Sequence, residues 1–184
     1  FNNEGVPSRV QAVEFAVSAW RSEPSDGLFR VYDWELQFLN VRSDPSFLSN
    51  KDWGSGGNGG WVIASDTGAA LQWNFTESGN GRADYDGPGV YADGNWHHVV
   101  VVYARTTVAS TYVDGVLINT STIGPATGSI DTGMPTNIGQ DGTGHYTDGD
   151  IDGLIDDVAI WRRALDTADV AGIYRAGING QTVL

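Results

Sequence analysis

The chain contains no cysteine and only one lysine, and both shortages limit what it can do. Without cysteine it cannot have a thiol nucleophile, a zinc-thiolate site or an iron-sulfur cluster. A chain of 184 residues does not need disulfides, because one domain of this size buries about 70% of its unfolded surface. We therefore treat residues 1–184 as a single domain. Cysteine usage gives no information on the redox compartment.

Basic residues of both kinds are scarce, so the chain is strongly acidic. Ten Lys and Arg stand against 23 Asp and Glu, which gives a formal net charge of −13. Such a charge opposes binding to nucleic acid and to anionic membrane surfaces, and it favours cations or neutral partners. No apolar run approaches the roughly 20 residues of a membrane helix. The composition and a start at Phe1 without a leader-like segment lead us to expect a secreted protein or a piece of one.

Short strands separated by turn residues dominate the chain. Apolar alternation predicts strands over 10–20, 28–41 and 71–75, and a β-branched run predicts one over 96–103. Asp114 and Gly115 indicate a tight hairpin. One helix is expected near the end, where Asp166 and Asp169 form a capping box and Gly177 ends the helix. This pattern predicts an all-β fold, a two-sheet antiparallel jelly roll with one short C-terminal helix.

An acidic, glycine-broken stretch precedes a predicted strand at 158–161. Residues 148–153 match the opening of the calcium loop of a helix-loop-helix site. The twelfth position of that loop needs a bidentate Glu and holds Ala159, and strand-like residues surround it, so we reject this type of site. Five acidic side chains over 148–157 still favour a hard cation, and calcium fits best. The alternative is that the two Asp-Gly pairs only form turns.

The glycine-rich segment 54–60, which we call the glycine loop, contains a G-x-G-x-x-G pattern. Strand-like residues follow it instead of the helix that a nucleotide site requires, so we interpret it as a surface loop between strands.

Aromatic residues beside this loop or in other polar loops are candidates for sugar binding. Sugars dock on exposed aromatic rings that are flanked by planar polar groups. Core packing is the alternative for Trp53 and Tyr85, and the second of these lies in a segment, 84–95, that we expect to be rich in turns. The candidate ligand-binding residues are Trp53, Asn58, Trp61, Tyr85, Tyr91 and Tyr146. Core packing is the expected role of the tryptophans on predicted strands, Trp34, Trp73, Trp96 and Trp161.

Three motifs, taken in order, resemble the laminin G-like jelly-roll domain of the concanavalin A-like superfamily. They are W-H-H-V at 96–99, Y-V-D-G at 112–115 and G-L-I-D-D-V-A-I-W at 153–161, followed by R-A-L at 163–165. The resemblance covers about residues 28–177. It implies a β-sandwich, a calcium ion at its rim or between its chain ends, and a carbohydrate or protein ligand. Among the acidic residues it implies Asp156 as a calcium ligand. Calcium takes oxygen ligands from several segments, and the candidate partners are Asp26, Asp141, Asp148 or backbone carbonyls near the amino terminus.

The resemblance also bears on catalysis. Related enzymes that cut glucans have a strand with the pattern E-x-D-x-E, whose carboxylates share one face. This sequence has no such run, and each of its five glutamates is isolated. His97 and His98 are neighbours on a predicted strand, so they point to opposite faces and cannot converge on one ion.

We therefore expect a protein that is not an enzyme. The favoured interpretation is a non-catalytic, calcium-stabilised, lectin-like module that binds a glycan or polysaccharide as part of a larger secreted protein. The alternatives are a structural or protein-interaction accessory domain that has calcium but no glycan ligand, and a glycan-cleaving enzyme, which is the least favoured.

Overall fold

The computed structural model describes residues 12–16, 44–66, 70–77, 81–91, 93, 95–104, 107–123, 128–146 and 154–181. The elements, in chain order, are β1 (Ala12–Ala16), β2 (Ser46–Ser49), β3 (Gly60–Ser65), β4 (Ala70–Thr76), β5 (Arg82–Val90), β6 (His98–Ala104), β7 (Val108–Val113), β8 (Val116–Thr122), β9 (Asn137–Ile138), β10 (Val158–Trp161) and α1 (Thr167–Ile178). The predicted strand over 28–41, together with Trp34, lies outside the described residues.

The strands form two five-stranded sheets. The first sheet has the order β10-β1-β6-β7-β8, and the second sheet has the order β5-β4-β3-β2-β9. Neighbouring strands are antiparallel in both sheets. The predicted fold class, an all-β two-sheet sandwich with one short C-terminal helix, is therefore confirmed. Among the described residues, the structure contains no helix with the length and apolar character needed to cross a membrane.

A largely apolar core lies between the two sheets. Alternation along β4 directs Leu71, Trp73 and Phe75 into it, as predicted, and β6 contributes alternate residues from 99 to 103. Trp73 Nε1 donates a hydrogen bond to Thr111 Oγ1 at 2.9 Å, which joins the two sheets and satisfies the indole group inside the core. The other tryptophans on or next to strands of the first sheet are partly buried and pack against apolar clusters, as expected: Trp96 and Trp161.

The C-terminal helix covers the outer face of the first sheet. Leu165 and Val170 pack against a cluster that β6 and β7 present on that face. The helix begins with the predicted capping box, because Asp166 and Asp169 each accept a hydrogen bond from the other's backbone N–H. It runs to Ile178, one residue beyond the predicted end. The first sheet is consequently covered on both faces.

The predicted hairpin between β7 and β8 is confirmed. Asp114 and Gly115 form its turn with φ angles of 52° and 76°. Two successive positive φ angles are those of a type I′ turn, which matches the twist of the flanking strands. The Asp114 carboxylate also accepts hydrogen bonds from the backbone N–H of His98 at 3.0 Å and from the ring of His97 at 2.9 Å. His97 therefore supports the turn through its ring, and His98 supports it through its backbone N–H.

The turn residues of segment 84–95 led to a wrong prediction for β5. The sequence predicts turns over 84–95, but β5 continues through Gly87 to Val90 and pairs with β4. A shift of register between Ala70 and Gln72 accommodates the extra residues of β5 as a bulge. Pairing with a neighbouring strand thus overrides the preference of glycine and proline for turns.

Candidate ligand-binding site

The outer face of the second sheet is polar, unlike the face that it turns to the core. Among the described residues, two loops cover this outer face, 50–59 and 141–146, in place of the helix that covers the first sheet. Three cross-strand rows of side chains follow from the strand register: Ala64-Gln72-Asp86, Val62-Asn74-Asp84 and Gly60-Thr76-Arg82. This face is the place where the fold brings polar groups together.

Lys51, the only lysine of the chain, lies buried between the glycine loop and the sheet. Its exposed fraction is 0%. Its ammonium group donates to Asn74 Oδ1, to Thr76 Oγ1 at 3.3 Å and to the carbonyl oxygen of Gly56 at 3.1 Å. These acceptors match the three N–H groups of an ammonium ion. Burial, followed by repulsion from Arg82, lowers the pKa of Lys51 from 10.5 to about 8.

An exposed ion pair on β5 completes this network. Asn74 Nδ2 donates to Asp84 Oδ1, and Arg82 Nε donates to Asp84 Oδ2 at 2.5 Å. The side chains of Arg82 and Asp84 are 51% and 35% exposed, whereas Asn74 is 1% exposed. Lys51, Asn74, Asp84 and Arg82 therefore form a continuous polar chain from the interior to solvent.

The glycine loop is fastened to the sheet at Gly56. Thr76 Oγ1 lies 2.9 Å from the Gly56 carbonyl oxygen, which also accepts the bond from Lys51. The guanidinium of Arg82 lies so close to Gly56 that a Cβ added there would overlap with it. Within the loop, Asn58 Nδ2 donates to the carbonyl oxygen of Asp52 at 3.0 Å. The loop is thus held from below by buried polar groups and against β5 by a guanidinium.

Trp53 and Tyr146 pack together next to this loop. Trp53 forms a small buried cluster with two β3 side chains, and Tyr146 packs against it. The ammonium of Lys51 lies 5.5 Å from the centre of the Trp53 ring, within the range of a cation–π interaction. Trp53 is only 9% exposed, so of the two interpretations left open for it, the structure agrees with packing and not with an exposed indole platform. The predicted ligand-binding residues that the structure does bring together at the glycine loop are Trp53, Asn58 and Tyr146.

The other three predicted aromatic residues pack toward the core. Trp61 is fully buried in the core cluster. Tyr85 stacks on Trp73 with ring centres 6.2 Å apart, and Tyr91 meets His97 edge-on at 5.4 Å. Burial raises the pKa of both tyrosines. Exposed sugar platforms at Trp61, Tyr85 and Tyr91 are therefore not found, because strand alternation directs Trp61 and Tyr85 to the inner face and Tyr91 packs on the same core.

Both carboxylate oxygens of Asp141, a predicted calcium ligand, accept hydrogen bonds from the protein. Its Oδ2 accepts from Trp53 N at 3.0 Å. Its Oδ1 accepts from Thr143 N, Thr143 Oγ1 and Gly144 N at 2.6 to 3.0 Å. Oδ1 is therefore saturated, whereas Oδ2 retains one lone-pair position. Asp141 closes the loop that follows it, and its role as a calcium ligand stays a prediction.

Asp156 is the other predicted metal ligand within the described residues. It is half-buried just before β10, and its Oδ1 accepts a hydrogen bond from Asp157 N at 2.8 Å. No group of three or more His, Asp or Glu side chains in the described part of the chain is arranged to hold a metal ion. Asp26 and Asp148 lie outside the described residues.

Sequence reasoning did not single out Asn74, Asp84 or Arg82. One signal for Asn74 was available: it alternates with the apolar residues of β4, which places it on the opposite face of the sheet. The contact between β4 and the only lysine could not be read from the sequence, because 23 residues separate Lys51 from Asn74.

Comparisons with known proteins agree with the fold and the motifs. The laminin G-type family model, described as "Concanavalin A-like lectin/glucanases superfamily", matches residues 7–171. None of the curated proteins matches the chain.

Several solved structures share the fold. The binding domain of Paraclostridial Mosquitocidal Protein 1 is 16% identical with a TM-score of 0.60, and the match covers 90% of this chain and 36% of that one. The ligand-binding domain of botulinum neurotoxin serotype D, in complex with N-acetylneuraminic acid, is 15% identical with a TM-score of 0.63, covering 96% and 38%. The binding domain of botulinum neurotoxin DC, in complex with rat synaptotagmin II, is 16% identical with a TM-score of 0.56, covering 93% and 37%.

This chain thus spans little more than a third of each of those structures. At such low identity, they show the fold alone. The family model, in contrast, matches the sequence from the first strand into the C-terminal helix. The resemblance of the sequence motifs is confirmed, and the chain belongs to the laminin G-type group of the concanavalin A-like lectin/glucanases superfamily.

Proposed function

We propose that this chain is a non-catalytic, lectin-like module that binds a glycan on the outer face of its second sheet, as part of a larger secreted protein. The observation that carries the proposal is the exposed Arg82–Asp84 pair, which the buried Asn74 and Lys51 support from below. A sheet that only needs to be stable gains little from a buried ammonium, because apolar replacements are often as stable. Polar groups that are fixed in advance are typical of ligand sites.

Two of the similar structures support a binding role. One contains N-acetylneuraminic acid, and another is a complex with synaptotagmin II. A carbohydrate and a protein are thus ligands of two binding domains that contain this fold in little more than a third of their length. The polar groups on the outer face of the second sheet favour the carbohydrate, because planar side chains such as Arg and Asp hydrogen-bond sugar hydroxyls.

The non-catalytic part of the proposal rests on the acidic residues. Glycan cleavage generally requires two carboxyl groups that flank the scissile bond. Glu77 is buried, and its Oε2 accepts a hydrogen bond from Gly128 N at 3.1 Å. Asp84 is engaged by Asn74 and Arg82. Because Glu77 is buried, it cannot flank a sugar bond together with the exposed Asp84.

We also propose that calcium stabilises the domain through Asp156 and oxygen ligands from other segments. A ligand that binds only the folded state raises the melting temperature. The test is thermal melting of the wild type and of Asp156→Asn in calcium, in magnesium and in chelator. Calcium should raise the melting temperature of the wild type and have little effect on the variant. Equal melting temperatures for the wild type in calcium and chelator would refute the calcium proposal.

The glycan proposal is tested by native electrophoresis through gels that contain one polysaccharide each, with calcium or with chelator. At least one polysaccharide should retard the wild-type protein, and Arg82→Gln should reduce the retardation. Trp53→Ala is unsuitable as a site variant, because Trp53 is buried and its loss would disturb the fold. If no polysaccharide in a broad panel retards the folded wild-type protein, the glycan proposal is refuted.

A protein-interaction domain is the second candidate, and one observation favours it. The edge strand β8 exposes three consecutive apolar residues, Val116, Leu117 and Ile118, with exposed fractions of 63%, 44% and 37%. An exposed apolar edge is suited to pairing with a strand of a partner protein. This alternative predicts that Leu117→Lys abolishes binding to a neighbouring domain of the parent protein, and that no glycan is bound.

A further inference from the structure

The hydrogen-bonding groups that remain on Arg82 and Asp84 are suited to a pair of neighbouring hydroxyl groups. Arg82 uses Nε to bind Asp84, and no partner for its two terminal nitrogens is found among the described residues. The carboxylate of Asp84 accepts one bond on each oxygen and has room for another on each. Donors and acceptors therefore lie side by side at the solvent end of the network.

We propose that Arg82 and Asp84 bind a vicinal diol of an uncharged sugar. This inference rests on the proposed function and names the ligand class of the same site. Each sugar hydroxyl both donates and accepts a hydrogen bond. One hydroxyl can donate to the Asp84 carboxylate while its neighbour accepts from the Arg82 guanidinium. Such hydrogen bonds with ionised groups are among the stronger ones.

The charges around the pair disfavour an anionic sugar. The positive charge of Arg82 is already balanced by Asp84, and that of Lys51 is buried and faces Asn74. Asp86 lies two residues along the same face of β5, and the chain as a whole has a net charge of −13. A sugar carboxylate would find no unbalanced cation there and would be repelled by the overall field. We therefore expect the ligand to differ in charge from the N-acetylneuraminic acid in the similar toxin structure.

Contacts within the protein hold the side chains of Arg82 and Asp84 in position before a ligand binds. Asn74 orients one carboxylate oxygen of Asp84, and the buried ammonium of Lys51 orients Asn74. The backbone of Gly56 lies directly against the guanidinium of Arg82. Side chains that are already ordered lose less conformational entropy on binding than free ones. This preorganisation favours selective binding at an exposed site.

The test uses the whole chain and three kinds of probe in affinity electrophoresis and titration calorimetry. The first is a set of neutral polysaccharides rich in vicinal hydroxyls, such as dextran and mannan. The second is the same set after periodate cleavage and borohydride reduction, which removes vicinal diols and leaves the polymers uncharged. The third is anionic, polysialic acid and polygalacturonate. The variants are Arg82→Gln and Asp84→Asn, with Arg163→Gln as the matched control.

Arg163 is a suitable control because it also forms an exposed ion pair with an aspartate, Asp169, at the start of α1. We expect a neutral polysaccharide to bind the wild type and the control alike. Periodate treatment and each site variant should weaken binding about tenfold or more, since each removes at least one hydrogen bond to a charged group. Circular dichroism should show the same folded spectrum for all variants.

The failures of the two proposals are distinguishable. If no glycan of any class binds, the proposed function fails and this inference fails with it. If a glycan binds but tolerates periodate treatment, tolerates both site variants or is anionic, the lectin-like function stands and the diol assignment is overturned.

Discussion

A rise in pH above neutrality should stabilise this protein, because its single lysine is buried. The pKa of Lys51 is about 8 in the folded chain and 10.5 when the group is unperturbed. Below about pH 8 the lysine is protonated in both states, so the folded state carries the whole cost of a buried charge. Between these pKa values the unfolded state binds more protons, and the free energy of unfolding therefore rises with pH.

The size of the effect follows from the two pKa values. The difference between 10.5 and about 8 corresponds to roughly 3 kcal/mol over the whole range. About 2 kcal/mol of this appears by about pH 9.5, where the folded lysine is mostly neutral and the unfolded one is mostly charged. The exposed Arg82 admits solvent to the end of the network, and screening there reduces the expected gain to about 1 to 2 kcal/mol.

Urea unfolding, followed by tryptophan fluorescence between about pH 7 and 9.5, measures this gain. The chain has no cysteine and no second lysine. His97, whose raised pKa makes its contribution to stability fall as the pH rises, is present in both the wild type and Lys51→Met, so the difference between the two proteins isolates the lysine. Tyr85 and Tyr91 have raised pKa values, so they titrate above about pH 10. Lys51→Met should lack the rise. Arg162→Met removes one positive charge from an exposed position and should keep it.

A wild-type free energy of unfolding that stays constant between pH 7 and 9.5 would refute the reasoning. An equal rise in the wild type and in Lys51→Met would refute it too, because another group would then be responsible.

Two further predictions concern the glycine loop and the β7–β8 turn. Gly56→Ala should weaken glycan binding several-fold, because the added Cβ displaces the Arg82 guanidinium. It should change the free energy of unfolding by less than about 1 kcal/mol, because the exposed guanidinium can shift to make room. In Gly57→Ala the added Cβ makes only an ordinary van der Waals contact, so this variant should change neither glycan binding nor the free energy of unfolding. Titration calorimetry measures the binding of both variants, and urea unfolding measures their stability. Asp114→Asn keeps a residue suited to positive φ. It removes the hydrogen bond between the Asp114 carboxylate and the His97 ring, which is the largest cause of the raised pKa of His97. The variant should lose about 1 kcal/mol at pH 6, and its deficit should shrink as the pH rises through the raised pKa of His97; a deficit independent of pH would contradict this.

Features set by neighbouring residues could be predicted from the sequence. The type I′ turn needs only Asp114 and Gly115 between two β-branched runs. The capping box needs only Asp166 and Asp169, three residues apart. Alternation along β4 places Trp73 in the core because side chains on a strand change face at every residue. In each case the signal that allows the prediction lies within a few residues of the sequence.

Features that depend on distant contacts could not be predicted in this way. A lysine next to a glycine-rich loop is normally exposed, but Lys51 finds its acceptors on β4, 23 and 25 residues away. Asp141 is a candidate calcium ligand from the sequence, yet its carboxylate accepts a hydrogen bond from Trp53 N, 88 residues away. Contacts between such distant residues decide which polar groups are buried and which remain at the surface.

In the second sheet, the inner face contributes most to stability and the outer face carries the proposed binding site. Its inner face is held by Trp73 and Phe75, which pack on Tyr103 of the other sheet, and the loss of such contacts removes several kcal/mol. Its outer face is held by hydrogen bonds among polar groups, which individually contribute about 1 kcal/mol. Changes at the exposed end of this network should therefore alter the ligand without unfolding the sandwich. A fold built in this way can change its specificity through Arg82 and Asp84 while the core between the sheets stays the same.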